Sequence, residues 1–284
     1  MAIVEKPIEK PLVDRVPATS FFLVSAVFHY LGPSFAVLLF AHVDVLGVAW
    51  LRIASAAVVF GIWRRPWRML RDSENRNTLI ALGVVLAAMN GLFYLAIDRL
   101  PLSTVGAIEF LGTVVLAATG TRTRRNAAAL ALAIAGVFVL TDVRLTGEPL
   151  GFAFAFANCA GFMLYVILGH RVANSGERFD RLGASMLIAA VAATPFAIGQ
   201  AAPAFTHPLW LLWGIAVGLC SSVIPYVTDQ LAMARMPRAT FALMLALLPA
   251  TATLIGLVVL SQVPTARDLA GIGLVVAGVA WHRV

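Results

Sequence analysis

The sequence predicts an all-α polytopic membrane protein: ten transmembrane helices in two inverted five-helix repeats, with the N and C termini cytoplasmic. Three observations predict it. Of 284 residues, 61% are hydrophobic and only 12% charged, whereas a soluble domain carries about 25% charged residues, so too little polar surface remains for a body in water. The apolar residues fall in runs of roughly 17–25, each long enough to cross ~30 Å of hydrocarbon as a helix. Finally, Lys and Arg gather in alternate loops, as a regular threading through a bilayer requires.

In order along the chain, Met1–Pro17 comes first. It carries Glu5, Lys6, Glu9, Lys10, Asp14 and Arg15 together with three prolines. It lacks the apolar core of a signal peptide and reads as a disordered cytoplasmic tail. The first unit, 18–141, holds spans at 18–40, 45–63, 78–97, 102–119 and 126–141. The second, 150–281, holds spans at 150–169, 182–200, 208–231, 239–260 and 267–281. Loops are a few residues long, with 64–77 the roomiest, and no soluble domain is present. The tail, 64–77, 120–125, 170–181, 232–238 and the C-terminus collect 17 of the 21 Lys and Arg, and the intervening loops collect 3; Arg52 lies inside a span. That bias puts both termini in the cytoplasm. It also accounts for the net charge of +7 without a nucleic-acid partner.

The chain repeats itself weakly. Residues 96–104, Ala-Ile-Asp-Arg-Leu-Pro-Leu-Ser-Thr, are similar to 232–240, Ala-Met-Ala-Arg-Met-Pro-Arg-Ala-Thr, at an offset of 136 residues. Ala135-Gly136-Val137 near the end of span five matches Ala277-Gly278-Val279 near the end of span ten. Five spans per unit is an odd number, so the second unit enters the membrane upside down. Inverted repeats are a common transporter plan, since two similar halves can exchange conformations about a midplane site.

Several stretches carry a resemblance to a known family. They are Trp50-Leu51-Arg52-Ile53, Arg65-Pro66-Trp67-Arg68, Met89-Asn90-Gly91-Leu92-Phe93-Tyr94, Ile108-Glu109-Phe110, Ile224-Pro225-Tyr226 and Arg238-Ala239-Thr240-Phe241. The chain resembles the drug/metabolite transporter superfamily in its EamA branch. Within it, the chain is most similar to bacterial amino-acid exporters of the threonine/homoserine and aromatic amino-acid types. The resemblance covers nearly all of the chain after the tail, and makes each five-span unit EamA-like. It implies export across the bacterial inner membrane, coupled to proton antiport. One departure is Gly112-Thr113, where related exporters tend to have Gly-Pro.

Ionisable residues within spans are costly and so are functional candidates. Glu109 lies about seven residues into span four, ~10 Å below the periplasmic surface. It suits a proton carrier or an anchor for a substrate ammonium; the plainer reading is a carboxylate neutralised by a structural partner. Arg52 lies ~12 Å deep in span two. It can pair with Glu109, serve structure alone, or bind a substrate carboxylate. Asn90 and Tyr94 share a face of span three, and Tyr226 and Gln230 repeat the arrangement in span eight at the same offset of 136. These faces are expected to turn inward, away from lipid, as two ends of one substrate path or as interhelical hydrogen bonds. His29 beside Gly32-Pro33, and Asn158 and Tyr165 in span six, are further candidates, each equally suited to packing. Phe110 is a candidate apolar wall for the cargo. Asp229 is expected to reach cytoplasmic water. Trp63, Trp67 and Trp210 read as interfacial anchors, and Pro225 and Pro249 as kinks.

Other chemistries find little footing. The histidines, His29, His42, His170, His207 and His282, are dispersed and lack an HExxH context, so neither metal nor membrane enzyme is indicated. Cys159 and Cys220 sit in apolar runs with no disulfide or metal spacing. No GxxxxGK[ST] sequence encodes an ATP-driven step. The expected partners are a small-molecule substrate, an amino acid, and the lipid bilayer. No nucleic acid and no cofactor are expected, and a monomer is compatible with the pattern.

Overall fold

The computed structural model describes residues 16–71, 76–100, 102–118, 123–140, 148–260 and 265–282. Most of the predicted tail and the tips of several loops lie outside them. The described residues are helical throughout, with no strand among them. In chain order the helices are α1 Ala18–Leu39, α2 Val45–Arg64, a 3-10 turn Pro66–Arg71, α3 Arg76–Ile97, α4 Leu102–Ala118, α5 Arg124–Leu140, α6 Pro149–Ala173, α7 Arg178–Thr206, α8 Pro208–Met233, α9 Arg238–Met244, α10 Leu247–Leu260 and α11 Ala266–Trp281. Six of them, α1, α2, α3, α6, α7 and α8, are long and apolar enough to cross a membrane. The others are apolar but shorter, with 17 residues in α4 and α5, 14 in α10 and 16 in α11.

Local chemistry sets the helix ends and breaks. α2 stops at Arg65, which takes a left-handed conformation with φ 51°, and Pro66 after it cannot extend the helix. Prolines open α6 and α8, where the missing N–H costs nothing. α7 runs through Pro195 and Pro203 to 29 residues, beyond the predicted 182–200. Its first turn is tied to α2, since Arg64 grips Asp180 at 2.7 Å. Its last turns are held because Gly47 lets α2 approach the backbone of Gln200 and Ala201, where a side chain would collide. The predicted ninth span is two helices, α9 and α10, parted by a turn at Leu245–Ala246. Pro249 has no N–H to give the carbonyl of Leu245, four residues earlier.

The helices pack in long pairs: α2 along α7, α5 along α11, α3 along α6 and α1 along α8. α3 also meets α7 as α2 meets α8, and α4 lies against α6 and α9. The pair α5/α11 is closest where it is smallest. A side chain at Gly136 would strike Gly271 and Val275, and one at Gly278 would strike Ala129 and Ala133. Two buried clusters fill the bundle. One gathers Phe22, Phe60, Leu86, Phe162 and Phe241; the other gathers Leu39, Leu51, Tyr94, Val105 and Val217. Large apolar side chains such as Phe196 and Ile62, 77% and 80% exposed, point outward, as hydrocarbon surroundings favour.

Candidate functional site

Where the two apolar clusters meet, α1, α2, α3, α4, α6 and α8 converge on polar side chains. A small cavity there is lined by His29, Pro33, Arg52, Met89, Phe93, Glu109, Asn158, Phe162 and Tyr226. It offers about 10 Å³ to the centre of a water-sized sphere, room for roughly one water molecule. The helices are therefore closed around this point.

Arg52 owes its position to a defect in α8. Residues Leu219–Val223 form a π-helical turn, with the N–H of Ile224 reaching back to the carbonyl of Leu219. Next comes Pro225, which has no N–H for the carbonyl of Ser221. Arg52 fills that gap, donating from Nη2 to Ser221 O at 2.7 Å and from Nε to Ser222 Oγ at 2.8 Å. Gly32 on α1 and Gly218 on α8 allow the approach, for a side chain at 32 would collide with Ser221 and one at 218 with Ser55. Ser221 Oγ itself has no hydrogen-bond partner among the described residues.

Glu109 is buried on α4, and its Oε1 accepts a hydrogen bond from Asn158 Nδ2 at 3.0 Å. Asn158 Oδ1 takes no partner among the described residues. The depths of Arg52 and Glu109 suggest an ion pair, but none joins them among the described residues. The guanidinium instead gives Nε and Nη2 to the π turn and stands over the ring of Tyr94, 5.5 Å from its centroid. Arg52 and Glu109 thus face one cavity as a guanidinium and a carboxyl group that do not touch. His29 lines the same cavity, edge-on to Phe162 with ring centroids 6.0 Å apart.

Asn90 and Tyr226 take the interhelical hydrogen-bond alternative. Read as the two ends of a path, they touch: Asn90 Nδ2 donates to Tyr226 OH at 3.2 Å and to Leu86 O at 2.7 Å. The two side chains reach across between α3 and α8. Their helical neighbours do other work. Tyr94 is buried with its hydroxyl unpartnered among the described residues, and Gln230 donates to Gly169 O at 3.2 Å, holding α8 to α6. The side chain of Phe110 lies outside the described residues.

Asp229 corrects an expectation. Expected to reach water, it is 3% exposed. Ser25 Oγ donates to its Oδ1 at 2.5 Å and Tyr165 OH to its Oδ2 at 2.6 Å. α1 and α6 cover it from both sides, which its place near the end of an apolar run did not reveal. Tyr165 in turn packs on Tyr226, ring centroids 5.3 Å apart. Asn158 and Tyr165, seven residues apart on α6, stand on one helix face about 10 Å apart along the axis. Each binds one of the two buried acids. Among the described residues no group of His, Cys, Asp and Glu is placed to hold a metal ion.

The arrangement can be set beside known proteins. The profile of the EamA-like transporter family matches residues 149–283. The threonine/homoserine exporter RhtA of Escherichia coli K12 is 32% identical over 254 residues, spanning 87% of this chain and 84% of that one. RhtA of Salmonella typhimurium is 31% identical over the same shares. A solved crystal structure with 20% identity covers 93% of this chain and 96% of its own, at a TM-score of 0.66, and shows the same fold. The helices long and apolar enough to span, the polar meeting point between them and these likenesses converge: the chain belongs to the EamA-like transporter family of the drug/metabolite transporter superfamily, as a multi-pass protein of the bacterial inner membrane.

Proposed function

We propose that the protein exports neutral amino acids by alternating access. One observation carries the reading: Arg52 and Glu109 line a single cavity without pairing to each other. An α-amino acid presents a carboxylate and an ammonium, and this pair offers it one charge of each sign. A charge-assisted hydrogen bond is about twice as strong as a neutral one, and burial raises the penalty for leaving either charge unmet. Glu109, steadied by Asn158, receives the ammonium; Arg52 receives the carboxylate. Phe93, Met89 and Phe162 supply an apolar wall for a neutral side chain, aliphatic, hydroxylated or aromatic. The names of the curated relatives, threonine and homoserine exporters, agree with cargo of this class.

The cavity is too small for an amino acid as it stands, so the bundle must open toward each face in turn. Ten spans in two inverted units, 18–141 and 150–281, with both termini cytoplasmic, suit that motion. In support, the family match begins at 149. The collisions that Gly136 and Gly278 avoid lie three and seven residues before the opposite glycine, in both directions. The Lys and Arg bias of the loops adds to this. With no ATP-binding sequence in the chain, transport is driven by a gradient or runs downhill, and a proton gradient fits the buried acids.

The test is counterflow in proteoliposomes with labelled threonine, homoserine and phenylalanine, beside a cationic dye. Saturable exchange of at least one amino acid is expected. Movement of the dye with no amino acid exchanged would sink the reading.

A further inference from the structure

The cavity leaves one buried acid unexplained. Asp229 does not line it, yet it is covered by α1 and α6 and held at both oxygens. No cation pairs with it among the described residues. Around it, α1 supplies Ser25, α6 supplies Tyr165, and Tyr226 stands one turn back on α8 itself. The charged groups of neighbouring elements are engaged elsewhere. Arg52 of α2 is bound at the π turn. His170 of α6 meets Met236 O at 3.2 Å. Arg235 lies over the ring of Phe21, 4.9 Å from its centroid. His29, one turn along α1 from Ser25, stands against Phe162.

The choice of partners is informative. An arginine or lysine has donors only and would hold a carboxylate in its ionised form. A hydroxyl both donates and accepts. Ser25 and Tyr165 can donate to ionised Asp229, and either can turn to accept from the protonated acid. The pocket can therefore meet the hydrogen-bonding needs of the carboxyl group itself in both states. A purely structural tie between α1, α6 and α8 gains nothing from that versatility.

The acid lies toward one end of α8. Asp229 is four residues from the end of α8 at Met233, and Ser25 seven from the start of α1 at Ala18. At ~1.5 Å per residue, about one helical turn separates the acid from the end of α8. Tyr226 touches the Asp229 group through Tyr165 and lines the Arg52–Glu109 cavity, so the two places share a wall.

We infer that Asp229, clasped by Ser25 and Tyr165, is a proton-binding site separate from the amino-acid cavity. The inference rests on the export reading. Glu109 then serves the cargo ammonium and Asp229 the coupling proton. A proton arriving at one Oδ neutralises the acid, reverses one hydroxyl contact and leaves again as a proton to solvent; no bond other than O–H is made or broken.

Two measurements on the whole protein test it. Infrared difference spectra of purified protein on acidification, with no cargo present, should show a protonated-carboxyl band. That band should be lost in Asp229→Asn and shifted in Tyr165→Phe, where one hydroxyl partner is removed. A band unchanged in both variants overturns the inference, whatever the cargo proves to be. In proteoliposomes, labelled threonine counterflow at equal pH measures exchange, and uptake driven by a pH gradient measures coupling. Asp229→Asn should lose the pH-driven part at least tenfold relative to exchange. Retention of pH-driven uptake overturns the inference, and so does equal loss of both. Should Asp229→Asn fail to fold, Ser25→Ala with Tyr165→Phe keeps the acid and strips both hydroxyls. Its pH profile should move, and an unmoved profile overturns the inference. A wild-type protein that binds the proton but exchanges no amino acid would fail the export reading alone.

Discussion

Arg125 and Arg267 do the same work at opposite ends of one helix pair. Arg125, at the start of α5, donates from Nε to the carbonyl of Trp281 at the end of α11, at 2.8 Å. Arg267, at the start of α11, donates from Nε to Val139 O near the end of α5, at 2.9 Å. Each covers a carbonyl that its own helix leaves open and sets a positive charge at the negative end of a helix dipole. Both residues and both acceptors are separated by the same 142 positions, as are Gly136 and Gly278. The relation is what two inverted copies of one unit would produce.

Replacing either arginine with alanine should therefore cost a similar amount, about 0.3–1 kcal/mol. Thermal unfolding in detergent would measure it. A large effect for one and none for the other would argue against equivalent roles.

The glycines make a steeper case. Gly136→Val and Gly278→Val each drive a branched side chain into the opposite backbone. Each should destabilise by about 1–3 kcal/mol or more, because the core cannot give way. Gly273→Ala, with nothing within 4 Å of its added carbon, should be near neutral. Recovery of folded protein by gel filtration separates them, and a well-behaved Gly278→Val would refute the close contact.

The topology can be settled by labelling. Arg68 is exposed on the turn after α2, which the charge bias assigns to the cytoplasm. In a background with Cys159 and Cys220 replaced, Arg68→Cys should resist an impermeant thiol reagent in intact cells and react after lysis. Ready labelling in intact cells would reverse the assignment.

Six of the helices were legible because each is an apolar run of spanning length, whereas run length did not reveal the break between α9 and α10. Contacts across helices were less legible. The depths of Arg52 and Glu109 placed them at one level, but depth says nothing of azimuth, and the open carbonyl of Ser221 competed for the guanidinium. The offset of 136 matched Asn90 with Tyr226 without disclosing that the two touch. Asp229 was misjudged because distance from a helix end measures access only when no neighbour covers it, and α1 and α6 do. Each miss among the contacts concerns which helix lies beside which.

Glu109→Gln and Arg52→Gln should differ in an informative way. Both should weaken amino-acid exchange by tenfold or more, for each removes one charge offered to the cargo. Arg52→Gln should also lower thermal stability further, since it strips the donor from Ser221 O, a loss of about 1–3 kcal/mol for a buried group. Competition with the decarboxylated amine of the cargo distinguishes the two sites. Arg52→Gln should lose the preference for cargo over amine, and Glu109→Gln should keep it. Unaltered affinity and preference in a stable Glu109→Gln protein would remove Glu109 from the site.

Pro225→Ala addresses how the bundle moves. The alanine restores an N–H at position 225, four residues after Ser221, so the helix can close the bond that Pro225 forbids. Arg52 would then share Ser221 O or release it, and the π turn at Leu219–Val223 would tend toward a regular α-helix. Such turns often occur at functional sites, and here the turn adjoins Tyr226, which lines the cavity and contacts Tyr165. If α8 must flex there for the cavity to open, Pro225→Ala should raise thermal stability while slowing exchange severalfold, with cargo affinity little changed. If the proline serves only to anchor Arg52, the substitution should weaken affinity instead, because the guanidinium loses its fixed position. Exchange rate and affinity both equal to wild type would show that neither the turn nor the anchor matters to transport.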